Sequence, residues 1–316
     1  MRHLHFLHAA SRLLFFTCFI AFTFLQAQEP TGLTLDEAAA PGANYDKAEF
    51  RLWLPANAGP VRAVVVIVPG SNGDWRSQVA DATWQKFATE QHLALVGCSI
   101  TDKRHDQSFI EEYVDVKRGS GQALLDVMTT FAEKAKHPEL ATAPFLMWGM
   151  SAGGQFNYEF TAWKPERVVA FVVNKGGIFY SALTSKAARA VPGILFVGGK
   201  DLEFRTNTIA GLFAVNRRAG ALWALAEEPS VGHVVGKSRD VTLLFFEDAL
   251  ARRLGEMQSN GGATTLKAID DKSGFLGDLK AKTFQPVAGA PAPTVPTAWL
   301  LSERVAQAWL AMVTEK

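Results

Sequence analysis

The stretch Phe145–Phe156, which reads FLMWGMSAGGQF, decides how this chain is expected to fold. An apolar run of strand length ends at Gly149, and a single serine, Ser151, stands between that glycine and Gly153. This is the pattern G-x-S-x-G, in which a sharp strand-to-helix turn exposes a serine side chain. A Cβ two positions before or after the serine would collide where strand and helix approach, so glycine is needed at both places. The pattern is short, and its meaning depends on the elements around it.

Short apolar runs alternate with amphipathic helical segments between Val61 and Leu254. Each run has the length of a strand buried on both faces. The runs are 63–68 (AVVVIV), 93–98 (LALVGC), 145–150 (FLMWGM), 168–174 (VVAFVVN), 193–198 (GILFVG) and 221–226 (ALWALA). This alternation predicts an α/β fold with a mostly parallel central sheet and helices on both faces. The extended segment 48–55 is expected to add an antiparallel edge strand.

The region after Gly255 has a different composition. Residues 286–296 (PVAGAPAPTVP) are rich in proline and alanine, which is typical of an extended surface segment, and 299–313 looks like a final helix. We therefore interpret residues 28–316 as one domain in which the part from about 256 to 316 is a C-terminal appendage.

The N-terminus is typical of a secretory signal peptide. Basic residues precede the apolar stretch 13–25, and the small residue Ala27 follows it. Because a spanning helix needs about 20 apolar residues, this stretch is short for a membrane anchor, although an uncleaved anchor is the alternative. We expect residues 1–27 to be removed, no stable membrane anchor to remain, and the mature protein to be secreted or periplasmic.

Composition excludes some classes of partner and cross-link. The 316 residues carry a formal net charge of +1 and no long basic run, so a nucleic-acid partner is not expected. After signal cleavage Cys98 is the single cysteine, so no intramolecular disulfide can form. Cys98 ends an apolar run and is expected to be a small buried hydrophobic residue.

A serine at such a turn requires a base, and the base requires an orienting carboxylate. On this type of fold the three follow in the order serine, acid, histidine. His233 is the one histidine after Ser151, and it lies between the last apolar run and a helical segment. Asp201 directly follows the run 193–198, with Glu203 as its rival two residues later. The predicted catalytic set is therefore Ser151, His233 and Asp201.

Two backbone N–H groups are needed to stabilise the negative charge that develops on a substrate oxygen. One should belong to Ala152, which follows the serine. The other should come from the loop 69–75 (PGSNGDW), with Ser71 as first choice and Asn72 as the alternative. The aromatic residues Trp75, Phe179 and Tyr180 fall on loops at the same edge and could line a substrate pocket or only pack those loops.

The segments GMSAGG, GGKD and GH, in this order and after these runs, give the chain a resemblance to secreted α/β-hydrolases. It resembles the uncapped serine esterases of the feruloyl esterase and polyhydroxybutyrate depolymerase type over about Arg51 to Leu254. The resemblance implies hydrolysis of small or polymeric carboxylic esters through an acyl-serine intermediate, with no metal and no organic cofactor. The gap 175–192 is too short for a large cap domain. Lys175, at its start, could hold an anionic substrate group or be structural.

Two other functions remain open at this point. A serine peptidase of the prolyl-oligopeptidase type has a similar core, but such enzymes usually carry a large domain in front, and about 35 residues separate Ala27 from the run at Ala63. A non-catalytic binding protein on a hydrolase scaffold is the second alternative. The full set of serine, acid and histidine argues against it.

Overall fold

The structure is a computed structural model that describes residues 32–56, 58–254, 265–291 and 295–315. The predicted signal peptide, residues 1–27, lies outside the described residues.

An eight-stranded sheet forms the centre of the molecule. Its strands run in the order β1-β2-β4-β3-β5-β6-β7-β8, antiparallel among β1, β2 and β4 and parallel from β4 through β8. The strands are β1 Gly32–Ala39, β2 Lys47–Pro55, β3 Ala63–Val68, β4 Leu93–Thr101, β5 Phe145–Gly149, β6 Val168–Asn174, β7 Gly193–Gly198 and β8 Trp223–Glu228. The predicted mostly parallel sheet is confirmed.

Helices cover both faces of this sheet. They are α1 Ala82–Gln91, α2 Ser120–Ala135, α3 Ala152–Trp163, α4 Lys186–Arg189, α5 Glu203–Arg218, α6 Ser238–Arg253 and α7 Glu303–Val313. Helices α2, α3 and α5 pack on one face, and α1, α6 and α7 pack on the other. Along β3, Val64 and Val66 join the first core while Val65 and Ile67 join the second. A strand buried on both faces needs a continuous apolar run, which explains why these strands are visible in the sequence.

The edge of the sheet differs from the prediction. The segment predicted as an edge strand forms β2, which pairs with β4 on one side and with β1 on the other. The true edge is β1, whose residues are largely exposed. A strand of this kind has no continuous apolar run, so periodicity gives it little signal.

The C-terminal region forms a small sheet and a helix that pack on the main domain. Strand β9 (Phe275–Asp278) pairs with β10 (Thr283–Pro286) and β11 (Ala298–Leu300). The predicted helix over 299–313 is shorter, because β11 takes its start and the Ser302 side chain caps α7 by accepting from the Val305 N–H. In the described ranges, no helix has the length and apolar character needed to cross a membrane.

Trp309 shows how closely this region is joined to the main sheet. Its ring is fully buried, and its Nε1–H donates to the Leu225 carbonyl in β8 at 2.8 Å. We expect Trp309→Ala to cost about 3–5 kcal/mol and to lower the melting midpoint by roughly 10 °C in a single cooperative transition. Leu183→Ala, at a side chain that is 60% exposed, should change stability by less than about 0.5 kcal/mol. Scanning calorimetry on both variants checks this, and a separate early transition would contradict a jointly folded domain.

Candidate active site

The turn between β5 and α3 has the backbone that the glycine pattern predicts. Ser151 has φ 53° and ψ −124°, an unfavourable conformation for a residue with a side chain. A Cβ on Gly149 would lie 2.5 Å from the backbone of Gly153, and one on Gly153 would overlap the Val68 carbonyl oxygen. Both glycines are therefore required by close approach. The turn lifts Ser151 to the carboxyl edge of the parallel sheet.

The structure brings the three predicted catalytic side chains together. Ser151 Oγ lies 3.0 Å from His233 Nε2, and His233 Nδ1 lies 2.7 Å from Asp201 Oδ2. With the proton on Nδ1, His233 donates to Asp201 and leaves Nε2 free to accept from the Ser151 hydroxyl. This is the geometry of a nucleophile, a base and an orienting acid.

Asp201 lies in a tight turn directly after β7. Its second oxygen, Oδ1, accepts from the Leu202 N–H at 2.7 Å and from Arg205 at 3.2 Å. Burial alone would raise the pKa of Asp201, but the hydrogen bonds from His233, Leu202 and Arg205 outweigh it and hold that pKa below its usual value. Asp201 is therefore ionised at neutral pH and can stabilise an imidazolium.

Glu203, the rival acid, is exposed at the first turn of α5. Its carboxylate accepts from the Asn207 side chain on the same helix at 3.4 Å. The geometry therefore favours Asp201 for the acid position.

The two predicted oxyanion donors lie on the two segments next to the serine. Ala152 is the first residue of α3, where backbone N–H groups have no partner inside the helix. A Cβ on Gly70 would lie 3.5 Å from the Ser151 Cβ, so the loop that carries Ser71 runs beside the nucleophile. That Ser71 supplies the second N–H group, with Asn72 as the alternative, stays a prediction.

Two of the predicted pocket aromatics pack against other rings, and the third makes a hydrogen bond. Trp75 stacks on Trp148 with ring centroids 5.2 Å apart, and Phe179 packs edge-on against Tyr158 at 5.1 Å. Tyr180 is largely exposed, and its hydroxyl donates to the Glu111 carbonyl at 3.3 Å. These contacts account for the three rings as loop-packing residues, and a role in binding substrate stays a prediction.

An exposed apolar rim beside the triad was not predicted from the sequence. Leu202 and Val234 directly follow two of the catalytic residues, and both are more than half exposed. The exposed rings of Phe109 and Phe204 lie 5.8 Å apart, and the Arg205 guanidinium covers both. We define Phe109, Leu202, Phe204 and Val234 as the apolar rim. Large apolar side chains next to the predicted catalytic aspartate and histidine were the signal that could have revealed it.

Two further predictions concern Cys98 and metals. Cys98 is fully buried, and burial raises the pKa of its thiol, so it packs as a small hydrophobic residue. Within the part of the chain that the structure describes, no cluster of three or more histidine, cysteine, aspartate or glutamate side chains could hold a metal ion.

Comparison with solved structures finds weak similarities to proteins described as hydrolases or esterases. It is similar to an S-formylglutathione hydrolase from Staphylococcus aureus (9% identity, TM-score 0.48, 70% of this chain and 96% of that chain covered). It is also similar to poly(aspartic acid) hydrolase-1 from Sphingomonas sp. KT-1 (14% identity, TM-score 0.48, 69% of this chain and 100% of that chain covered). A third similar structure is a ferulic acid esterase (12% identity, TM-score 0.47, 71% of this chain and 96% of that chain covered). No protein-family model and no curated protein sequence matches the chain. The predicted α/β fold is confirmed by the mostly parallel sheet with helices on both faces, and likenesses this weak carry no further argument.

Substituting the glycine after the serine tests the close approach at the turn. Gly153→Ala should destabilise the protein by at least about 2 kcal/mol, because the new methyl group has no space against the β3 backbone. Gly211 is a matched control, since it lies in α5 with nothing within 4 Å of a built Cβ. Gly211→Ala should raise stability by up to about 1 kcal/mol. Denaturant unfolding compares the two, and a neutral Gly153→Ala would refute the constraint.

Parallel substitutions at Asp201 and Glu203 test which acid orients His233. Without its carboxylate partner the imidazole loses its correct tautomer and the stabilisation of its charged form. Asp201→Asn should therefore lose at least about 10²-fold in turnover, whereas Glu203→Gln should lose less than about tenfold. Steady-state kinetics on one ester decides this, and a crippled Glu203→Gln enzyme would reassign the acid.

Proposed function

We propose that this chain is a serine hydrolase that cleaves carboxylic esters through an acyl-enzyme intermediate. The observation that carries the proposal is the pair of hydrogen bonds from Ser151 Oγ to His233 Nε2 and from His233 Nδ1 to Asp201 Oδ2, at 3.0 and 2.7 Å. Distances of this kind allow proton transfer between the groups.

In the first half of the proposed reaction, Ser151 Oγ attacks the ester carbonyl carbon while its proton passes to His233 Nε2. The carbonyl π electrons move to the oxygen, and the N–H groups of Ala152 and Ser71 stabilise the resulting negative charge. When the tetrahedral intermediate collapses, the bond to the alcohol oxygen breaks. His233 gives its proton to that oxygen, so a neutral alcohol leaves and an acyl-Ser151 remains.

In the second half, water takes the place of the alcohol. His233 accepts a proton from the water as its oxygen attacks the acyl carbon, and the same N–H groups stabilise the second oxyanion. Collapse returns the proton to Ser151 Oγ and releases the carboxylic acid. Asp201 stays ionised throughout, and it stabilises each imidazolium that forms.

The surroundings of the triad support substrates with an apolar part. The segment between β6 and β7 contains only the four-residue helix α4, so no large cap stands over the site among the residues described there. The apolar rim offers exposed contact area beside Asp201 and His233. We propose a small or polymeric ester with a hydrophobic acyl or alcohol group, and on the strength of residues 1–27 we propose that the protein is exported.

Fluorophosphonate labelling together with hydrolysis of p-nitrophenyl, feruloyl and short polyester substrates tests the proposal. The wild type should be labelled at Ser151 and should hydrolyse at least one ester. Ser151→Ala should lose labelling and at least about 10⁴-fold in turnover, while its melting midpoint stays close to that of the wild type. Ser77→Ala, at an exposed serine after the same sheet edge, should behave as the wild type.

The outcome also separates the alternatives. A protein that is labelled but cleaves peptides in preference to esters would be a peptidase on the same scaffold. A protein that is neither labelled nor active would be a binding protein, and the proposed mechanism would be wrong.

A further inference from the structure

Strand β6 ends in two buried polar residues that the proposed mechanism does not use. Lys175 follows the strand with φ 57°, and its side chain has no exposed surface. Its Nζ donates to Glu228 Oε2 at 2.6 Å and to Asn174 Oδ1 at 2.8 Å. The sequence left open whether Lys175 would hold a substrate anion. The structure instead buries it in an ion pair behind the triad.

Glu228 holds both ends of the loop that carries His233. It is the last residue of β8, and its carbonyl accepts from the Val231 N–H at 3.2 Å at the start of that loop. Its second carboxylate oxygen, Oε1, accepts from the Lys237 N–H at 2.8 Å where the loop returns to α6. Glu228 therefore bonds to both ends of the loop 229–237, through its backbone carbonyl at the start and through its side chain at the end.

Asn174 joins this loop to the serine turn. Its carbonyl accepts from the Ser151 N–H at 2.8 Å. Its side-chain Nδ2 donates to the Val235 carbonyl at 3.1 Å and to Ser238 Oγ at 2.7 Å. Lys175 donates to the remaining amide oxygen and so fixes the orientation of the Asn174 side chain.

The turn that carries Asp201 also contacts Lys175, Glu228 and the loop that carries His233. A Cβ on Gly198 would lie 3.2 Å from Lys175 Cε. The Lys200 N–H donates to the Val231 carbonyl at 3.0 Å, and the Gly199 N–H donates to the Glu228 carbonyl at 2.9 Å. The segments that carry the serine, the acid and the histidine therefore meet at Lys175 and Glu228.

We propose that Lys175 and Glu228 are positioning residues that set the distance between His233 and Ser151 without touching substrate. This inference rests on the proposed function for its kinetic consequence. The network itself is a property of the fold and can be tested without a substrate.

Stability alone is a poor explanation for this pair. Burial lowers the pKa of Lys175, and the hydrogen bond with Glu228 opposes that effect without cancelling it. Two buried charges pay a desolvation cost that their attraction often does no more than repay, and apolar replacement of both is commonly neutral or stabilising. What an apolar pair cannot supply is the set of directed hydrogen bonds to Asn174 and to the Lys237 N–H. Replacing Lys175 and Glu228 by apolar residues should therefore disturb the positions of the loops that carry the triad.

Two double variants separate geometry from charge. Lys175→Met with Glu228→Leu removes the charges and the acceptor for the Lys237 N–H. It should lower the melting midpoint no more than the Arg253→Met control does, yet lose at least about tenfold in kcat, with KM changed less than about threefold. Lys175→Met with Glu228→Gln also removes the charges but retains an acceptor for that N–H. It should recover at least about threefold in kcat relative to the leucine variant.

Arg253 supplies a matched control at the other end of β6. It is a buried cation whose guanidinium donates to the Val168 and Val169 carbonyls at 2.7 and 2.8 Å, where the strand begins. Arg253→Met should lower the melting midpoint and leave kcat of the folded protein unchanged. An equal loss of kcat in Arg253→Met would show that any disturbance of β6 has this effect, and it would overturn the inference.

Amide hydrogen exchange of the loop 229–237 provides a readout that does not depend on catalysis. Exchange there should be faster in the Lys175→Met, Glu228→Leu variant than in the wild type and in Arg253→Met. Unchanged exchange, or wild-type kcat in the leucine variant, would refute the positioning role. If the wild type hydrolyses no ester, but exchange in the loop is still faster in the Lys175→Met, Glu228→Leu variant than in the wild type, the proposed function is refuted and the network remains supported.

Discussion

The close approach of β5 and α3 around Ser151 is the constraint on which the site depends. Gly149 and Gly153 lie so near each other that the chain must turn within one residue, and that residue takes φ 53°. A conformation of this kind costs on the order of 1–3 kcal/mol and persists only where the surroundings over-determine it. Here the Ser151 N–H donates to Asn174 in β6, and the Gly153 N–H donates to the Met150 carbonyl. The turn therefore depends on a hydrogen bond to the neighbouring strand as well as on its two glycines.

Hydrogen bonds also join the segments that follow the other parallel strands at the carboxyl edge of the sheet. Strands β6, β7 and β8 each end in a residue or turn whose polar groups bond to the next segment. Asn174 is fully buried and Glu228 nearly so, and both make several hydrogen bonds, as buried polar groups must. The cost of desolvating such groups is recovered only if every donor and acceptor keeps its partner. A shift of one loop would leave hydrogen-bonding groups in the other loops without partners. The segments that carry Ser151, Asp201 and His233 are therefore held in fixed positions relative to one another.

The sequence was informative where local chemistry or burial on both faces leaves a strong pattern. Continuous apolar runs identified the parallel strands, and the order of Ser151, Asp201 and His233 identified the residues that meet at the sheet edge. Strand β1 escaped prediction because an exposed edge strand need not be apolar. The partnership of Lys175 with Glu228 escaped it because the two residues are 53 positions apart and each is ordinarily a surface residue. Trp75 and Phe179 fell on the expected loops, but which way a loop aromatic packs depends on tertiary contacts that no local pattern contains.

Asp201 and His233 differ in burial, and the proposed mechanism gives a chemical reason for the difference. The Asp201 side chain is 2% exposed, whereas that of His233 is 27% exposed. A shielded carboxylate keeps a strong hydrogen bond to the imidazole, because competing water is excluded and the local dielectric is low. In the proposed reaction, the histidine meets both the leaving alcohol and the incoming water, so its Nε2 side has to remain open. Arg205 donates a hydrogen bond to Asp201 Oδ1, the oxygen that does not face His233. Its guanidinium also lies over the rings of Phe109 and Phe204. The cation that bonds the acid therefore also packs against the exposed rings, so the position of Asp201 and the position of these two rings depend on the same side chain.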